Sequence, residues 1–175
     1  EFSDDRYLIA VTKDGIIKKT PLSQFDTQRK TGLIAINLKE DDQLIGIKET
    51  SGRNNVIIVT KHGKCICFSE EDVRAIKLEK GDEVVAMELV EPDQELLVVT
   101  ENGYGKRTSV KDYKIQVRGG KGLLTYDKTK FKKTGALIGA MVVDEDDEIL
   151  MINSEGIIIR IRAGEVSKLG RATQG

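Results

Sequence analysis

Four stretches of the chain repeat one pattern of apolar and polar positions: an apolar run, a Thr or Asn, two turn residues, a Gly, then a mixed run. They read LIAVTKDGIIKKT from Leu8, VIIVTKHGKCICF from Val56, LLVVTENGYGKRT from Leu96 and ILMINSEGIIIRI from Ile149. The anchoring glycines Gly15, Gly63, Gly103 and Gly156 are spaced by 48, 40 and 53 residues. Ten positions after each stands an apolar residue: Phe25, Val73, Tyr113 or Val166. A second apolar run follows in two units, LIAINL from Leu33 and LLTY from Leu123. After an acidic turn, three units add a last strand: LIGI from Leu44, VVAMEL from Val84 and LIGAMVV from Leu137. Val, Ile and Thr dominate these runs and fit a pleated sheet. Pro21 and Pro92 lie outside them, so no strand is excluded. The pairs Asp14-Gly15, His62-Gly63, Asn102-Gly103 and Glu155-Gly156 predict two-residue type I′ hairpin turns, with φ > 0 at both central positions.

The pattern predicts an all-β, propeller-like array of four-stranded antiparallel blades, with helical periodicity confined to a possible turn around Ser69 to Ala75. Residues 1–175 form a single repeat domain with units at 7–50, 55–90, 95–143 and 148–175, the last one truncated. That amounts to about three and a half to four blades, where a closed ring takes about four to eight. The expectation is therefore a fragment of a longer array, or an open one. Unit two is short: Phe25 to Ile36 spans 11 residues, Val73 to Ile76 only 3. Either a loop is deleted there or a stretch is missing from the sequence.

Composition bounds the class. Of 175 residues, 28 are Lys or Arg and 29 Asp or Glu, for a formal charge of −1. Taken whole, that argues against a nucleic-acid binder, which normally carries a basic excess. No apolar run approaches the ~18 residues of a spanning helix, and Glu1 to Asp5 resemble no secretory signal. Two cysteines make no disulfide framework, so a cytoplasmic location is expected. The distribution of charge reverses the first impression. Between Lys106 and Lys133 ten basic residues face two acidic ones, a net +8, and the rest of the chain carries −9. Lys106 and Arg107 hold the same place after the hairpin glycine, or in the loop beyond it, as Lys18, Lys19, Arg29 and Lys30 in unit one and Arg160, Arg162 and Arg171 in unit four. Repetition would align such positions along one rim, a stripe able to neutralise the phosphates of a bent duplex without reading bases.

Catalytic chemistry finds no support. His62 is explained by its turn, Cys65 and Cys67 as small buried hydrophobes, and the clusters Glu40-Asp41-Asp42, Glu70-Glu71-Asp72 and Asp144 to Glu148 as solvated turns. No catalytic residue, metal ligand or cofactor is therefore assigned. The sharpest local motif is QVRGGKG, Gln116 to Gly122. Its glycines Gly119, Gly120 and Gly122 let the backbone approach a phosphate, Arg118 and Lys121 supply charge, and Gln116 an uncharged hydrogen-bonding group.

With QVRGGKG the chain resembles the C-terminal domain of the DNA gyrase A subunit, whose signature heptapeptide is QRRGGKG; Val117 is the single departure. NGYGKRT from Asn102, KKTPLSQF from Lys18 and GRATQG from Gly170 are similar to blade sequences of that family, so the resemblance covers essentially the whole chain. It implies a β-pinwheel, a six-bladed propeller relative in which neighbouring blades exchange a strand. It also implies a non-catalytic module that wraps double-stranded DNA around its basic rim. That wrapping supports ATP-dependent negative supercoiling by the holoenzyme, a type II topoisomerase of the bacterial nucleoid. The protein partners implied are the B subunit, together with the remainder of the A subunit. The family's box normally lies in the first blade, whereas these units register at roughly blades three to six, so this copy would be a second one. The alternatives are a propeller-like protein-interaction scaffold, or the related domain of the topoisomerase IV A subunit.

Overall fold

The repeated pattern folds into four small antiparallel sheets in a computed structural model that describes residues 2–28, 30–73, 76–116 and 122–175. The first sheet holds β1 (Tyr7–Thr12), β2 (Ile17–Pro21) and β3 (Leu44–Thr50) in the order β2-β1-β3. The second holds β4 (Asn55–Thr60), β5 (Lys64–Ser69) and β6 (Val84–Val90), and the third β7 (Glu95–Thr100) and β8 (Gly105–Ser109). A short β9 (Leu123–Leu124) leaves unit three to pair with β5 of unit two, giving the order β6-β4-β5-β9. The third sheet is completed by β10 (Leu137–Val143), ordered β10-β7-β8, and the fourth is the hairpin β11 (Glu148–Ile152) and β12 (Ile158–Arg162). Among the described residues one sheet reaches four strands; the others have three, three and two. The expected four strands per blade thus need a strand from the next unit, which β9 supplies once. The helical turn expected near Ser69 is a 3-10 turn at Glu70–Asp72, and α1 (Phe131–Thr134) is a single turn that no periodicity announced.

The apolar runs are continuous because the inner strands are covered on both faces. The pleat sends alternate residues of β4 to opposite sides. Val56 and Ile58 join Ile9, Val11, Ile66 and Phe68 in a core between the first and second sheets. Ile57 and Val59 join Leu96, Val98, Cys65, Cys67 and Tyr126 in a core between the second and third. Leu97 turns away to meet Ile149, Val143 and Ala163, which docks the fourth hairpin. Burial pushes the Cys65 and Cys67 thiols up to about 12 and about 11, so both behave as inert small hydrophobes.

The turns correct one expectation. Asp14, His62, Asn102 and Glu155 do not take φ > 0; among the described non-glycine residues Asp41 alone does. Each hairpin instead turns one residue earlier. The amides of Gly15, Gly63, Gly103 and Gly156 donate to the carbonyls of Thr12, Thr60, Thr100 and Asn153 at 2.9–3.0 Å, with the glycines themselves at φ +77° to +83°. This is a three-residue loop closed by a left-handed glycine. It also explains the Thr or Asn of the pattern. Thr12, Thr60 and Thr100 each accept, on Oγ1, the amide four residues on at 3.2 Å, and Asn153 does so with Oδ1 at 2.8 Å.

Asp144 to Glu148 are exposed, as expected of a solvated turn, whereas other acidic residues act as buried clamps. Asp42 and Asp82 are buried, and one carboxylate oxygen of each receives two amides: Asp14 and Gln43 for Asp42, His62 and Glu83 for Asp82, all at 2.9–3.0 Å. Each ties the start of a third strand to the tip of its hairpin. In the third sheet the carbonyl of Thr134 receives the Asn102 amide instead. Asp82→Ala leaves two amides without an acceptor and is expected to cost about 1–3 kcal/mol. Asp82→Asn retains a carbonyl oxygen there and should lose much less, a difference readable in urea unfolding midpoints. Glu70 likewise departs from the solvated expectation: it is buried and bonded to the Thr50 hydroxyl.

Candidate nucleic-acid interface

The segment from Gln116 onward crosses from one blade to the preceding one. The Gln116 amide donates to the Cys67 carbonyl at 2.7 Å, and its side-chain Oε1 is buried without a partner. Gly122, at φ +77°, passes so close to β5 that a Cβ would stand 3.1 Å from the Cys65 carbonyl oxygen. Arg118, Gly119, Gly120 and Lys121 lie outside the described residues, as does Arg29.

Unit four repeats this crossing over blade three. The Leu169 amide donates to the Arg107 carbonyl at 2.8 Å, as Gln116 does to Cys67, and Gly175 lies against Gly105 as Gly122 lies against Cys65. Leu169 and Gly175 therefore hold in the fourth unit the places that Gln116 and Gly122 hold in the third. The two crossings touch: Arg171 Nη1 donates to the Leu124 carbonyl at 2.8 Å, and the Asp127 amide to the Thr173 carbonyl at 3.2 Å.

The cations expected on a rim divide sharply. Lys106 and Arg107 are buried, which corrects their place on a solvent-facing stripe. Lys106 Nζ donates to the carbonyls of Gly170 and Arg171 at 2.8 and 2.5 Å and to Thr173 Oγ1 at 3.2 Å. Arg107 donates to the carbonyls of Val166 and Gly164 at 2.9 and 3.0 Å and pairs with Glu95 at 2.5 Å. Blade four brings backbone oxygens to both, and a buried carbonyl needs a donor. Lys19 is spent in the same way between units one and two: it lies 4.4 Å from the Tyr7 ring centroid and 3.3 Å from the carbonyls of Gly52 and Glu70. Arg160 is exposed but pairs with both oxygens of Glu148. Arg171 is half-buried, while Lys18, Lys30 and Arg162 are exposed, Lys18 reaching the Ala35 carbonyl at 2.8 Å.

Among the described residues, the exposed charge of the basic stretch comes from residues outside the repeat register. Lys114, Lys128, Lys130, Lys132 and Lys133 are all exposed. The last four sit on a 3-10 turn, Lys128–Lys130, that runs directly into α1. Asp127 caps this turn by accepting the Thr129 amide at 3.0 Å, a bond that, with the Thr129 hydroxyl, holds its carboxyl below the usual range. The same Asp127 touches Thr173, so the lysine turn is continuous with the crossing of unit four. The charge count of the stretch was the signal for these lysines; their clustering needed the α1 turn.

The model of the DNA gyrase C-terminal domain, a beta-propeller, matches residues 6–51, 54–91, 94–144 and 147–175. The chain belongs to this family. The DNA gyrase A subunit of Mycolicibacterium smegmatis is 40% identical over 188 residues, covering 99% of this chain and 22% of the relative. The chain thus spans about a fifth of the length of the curated gyrase A relatives it matches. A solved DNA gyrase A C-terminal domain superposes with a TM-score of 0.86 at 33% identity, covering all of this chain and 61% of that one. A crystal structure of the C-terminal domain of DNA topoisomerase IV superposes at 0.92 with 27% identity, covering all of this chain and 58% of that one. Among the described residues of this gyrase family domain, no group of three or more His, Cys, Asp or Glu side chains converges as a metal would need. No helix among them is long and apolar enough to cross a membrane.

Proposed function

We propose that this chain binds duplex DNA without reading its sequence, as the wrapping module of a gyrase A subunit, and carries no catalytic group itself. The observation that carries this is the set of exposed lysines Lys114, Lys128, Lys130, Lys132 and Lys133, the last four on a turn bonded to the crossing of unit four, in a chain of the gyrase C-terminal family. Arg118 and Lys121 are proposed as phosphate contacts from the motif alone. Phosphate contacts from such groups release counterions, so affinity should fall linearly in log–log plots against salt. In the full enzyme the module would bend DNA toward the cleavage core while the B subunit hydrolyses ATP, in the bacterial cytoplasm. No cofactor is needed for that role.

Fluorescence anisotropy with a duplex oligonucleotide at several salt concentrations tests this. Wild-type chain should bind all sequences comparably, and Arg118→Ala with Lys121→Ala should flatten the salt slope by about 1.8, about 0.9 for each lost phosphate contact. Absence of duplex binding at low salt would overturn the reading. The close superposition on the topoisomerase IV domain favours one second reading, a module of that enzyme's A subunit. A gyrase-type heterotetramer whose A protomers carry this chain, and which supercoils relaxed DNA, would decide for gyrase.

A further inference from the structure

The lysine turn is built across the tips of two hairpins. Phe131, in its middle, stacks on Tyr126 with ring centroids 6.0 Å apart. It also lies over the second hairpin glycine, its Cζ 3.5 Å from where a Gly63 Cβ would stand. Lys132 and Lys133 follow on the single turn of α1, which ends at Gly135 with φ +74°. The last carbonyls of a helical turn have no partner within it and need donors from elsewhere. Asn102, at the tip of the third hairpin, supplies two. Its backbone amide donates to the Thr134 carbonyl at 3.0 Å, and its side-chain Nδ2 to the Lys133 carbonyl at 2.8 Å. Beside them the Glu101 amide donates to the Ala136 carbonyl at 3.0 Å, and Lys133 Nζ stands 5.3 Å from the Tyr104 ring centroid.

Comparison of the units shows that this side chain is matched to the turn. In units one and two the hairpin-tip amide, of Asp14 or His62, is received by the carboxylate of Asp42 or Asp82. Between Asp127 and Asp144 the third unit has no Asp or Glu, and its lysine turn offers carbonyls in their place. Units one and four carry a carboxylate at the Asn102 position, as Asp14 and Glu155, and an ionised carboxylate cannot donate to a carbonyl. An amide can. With Asp127 holding one end of the turn and Asn102 the other, less ordering is lost when a polyanion binds. We propose that Asn102 is a positioning residue for DNA binding: without touching the duplex, it holds Lys132 and Lys133 where they meet phosphates. This rests on the DNA-binding reading above.

Asn102→Leu roughly keeps the size of the side chain and the net charge but removes the donor. The Asn102–Lys133 bond is exposed, so water can replace it and the urea midpoint should stay near that of wild-type chain. Fluorescence anisotropy with a short duplex at several salt concentrations should show affinity down by about three- to tenfold, with a salt slope shallower by about 0.9 for one lost phosphate contact. Asn102→Gln carries the same amide on a longer stem and should recover most of that loss. Wild-type affinity and slope in Asn102→Leu would overturn the positioning role. So would equal losses in the two variants, or a loss that tracks a lowered urea midpoint. If wild-type chain binds no duplex at low salt, the DNA reading falls, and this role with it. Should Asn102→Leu fail to fold, 15N-labelled wild-type chain decides alone by NMR. Duplex should shift the amide resonances of Lys130 to Gly135, and unmoved resonances there, with binding intact, overturn the proposal.

Discussion

Arg107→Ala is expected to destabilise the chain by about 3–5 kcal/mol, the cost of breaking a buried ion pair by removing one partner. The guanidinium is buried and serves three acceptors: Glu95 of its own sheet and the carbonyls of Gly164 and Val166 in blade four. Truncation leaves both carbonyls without that donor and the Glu95 carboxylate with Lys168, 2.5 Å away, as its remaining cation. A lysine offers no planar fork to span three acceptors, so Arg107→Lys should recover only part of the loss. Chemical denaturation gives the magnitude, and amide exchange should show Ala163 to Leu169 opening first. The pair also sets an acid limit. Burial acts to raise the Glu95 pKa, but the Lys168 hydrogen bond and the Arg107 charge outweigh it and hold the group below its usual value. A carboxylate depressed in the folded state contributes stability that is present above its unfolded pKa of about 4.3 and is lost as pH falls through the folded value. Wild-type stability should therefore fall with acid below about pH 4 more steeply than that of Arg107→Ala.

Phe68→Ala should cost a similar amount, about 3–5 kcal/mol, through a cavity instead of a lost charge partner. Phe68 is fully buried, paired across the strands with Val56, in the core that joins the first two sheets. That core is almost wholly aliphatic, so no other ring can swing into the gap. Ile76 and Leu78 reach across from unit two to lie over the first hairpin at Gly15. Packing dominates this junction, whereas the one between blades three and four adds two buried cations to its smaller apolar cluster. Phe68→Leu should retain most of the stability, because it leaves a much smaller void. Differential scanning calorimetry on both variants checks the ratio.

The hairpins were legible from local chemistry. An apolar run, a Thr or Asn and a left-handed glycine specify strand, turn and return strand within a dozen residues, and every anchoring glycine sits where the pattern put it. The turn type departs from the dipeptide rule because Thr Oγ1 and the backbone share the closing bonds, a cooperation that such a rule does not contain. Asp42 looks solvated in sequence because an acidic run in a turn usually is; its burial depends on a hairpin tip 28 residues earlier.

The order of apolar and polar positions by itself determined that this protein is a chain of β hairpins in repeated units with its positive charge gathered in one stretch. Period-two pleating and turn geometry act over neighbouring residues, and charge is a matter of composition. Only the tertiary structure decided which of those charges face solvent. Lys106 and Lys128 are alike in sequence, yet the first is enclosed by carbonyls 64 and 65 residues further on, and the second stands on an exposed turn. A buried cation is tolerated where a neighbouring blade supplies oxygen ligands for it, and that supply exists once the blades have docked.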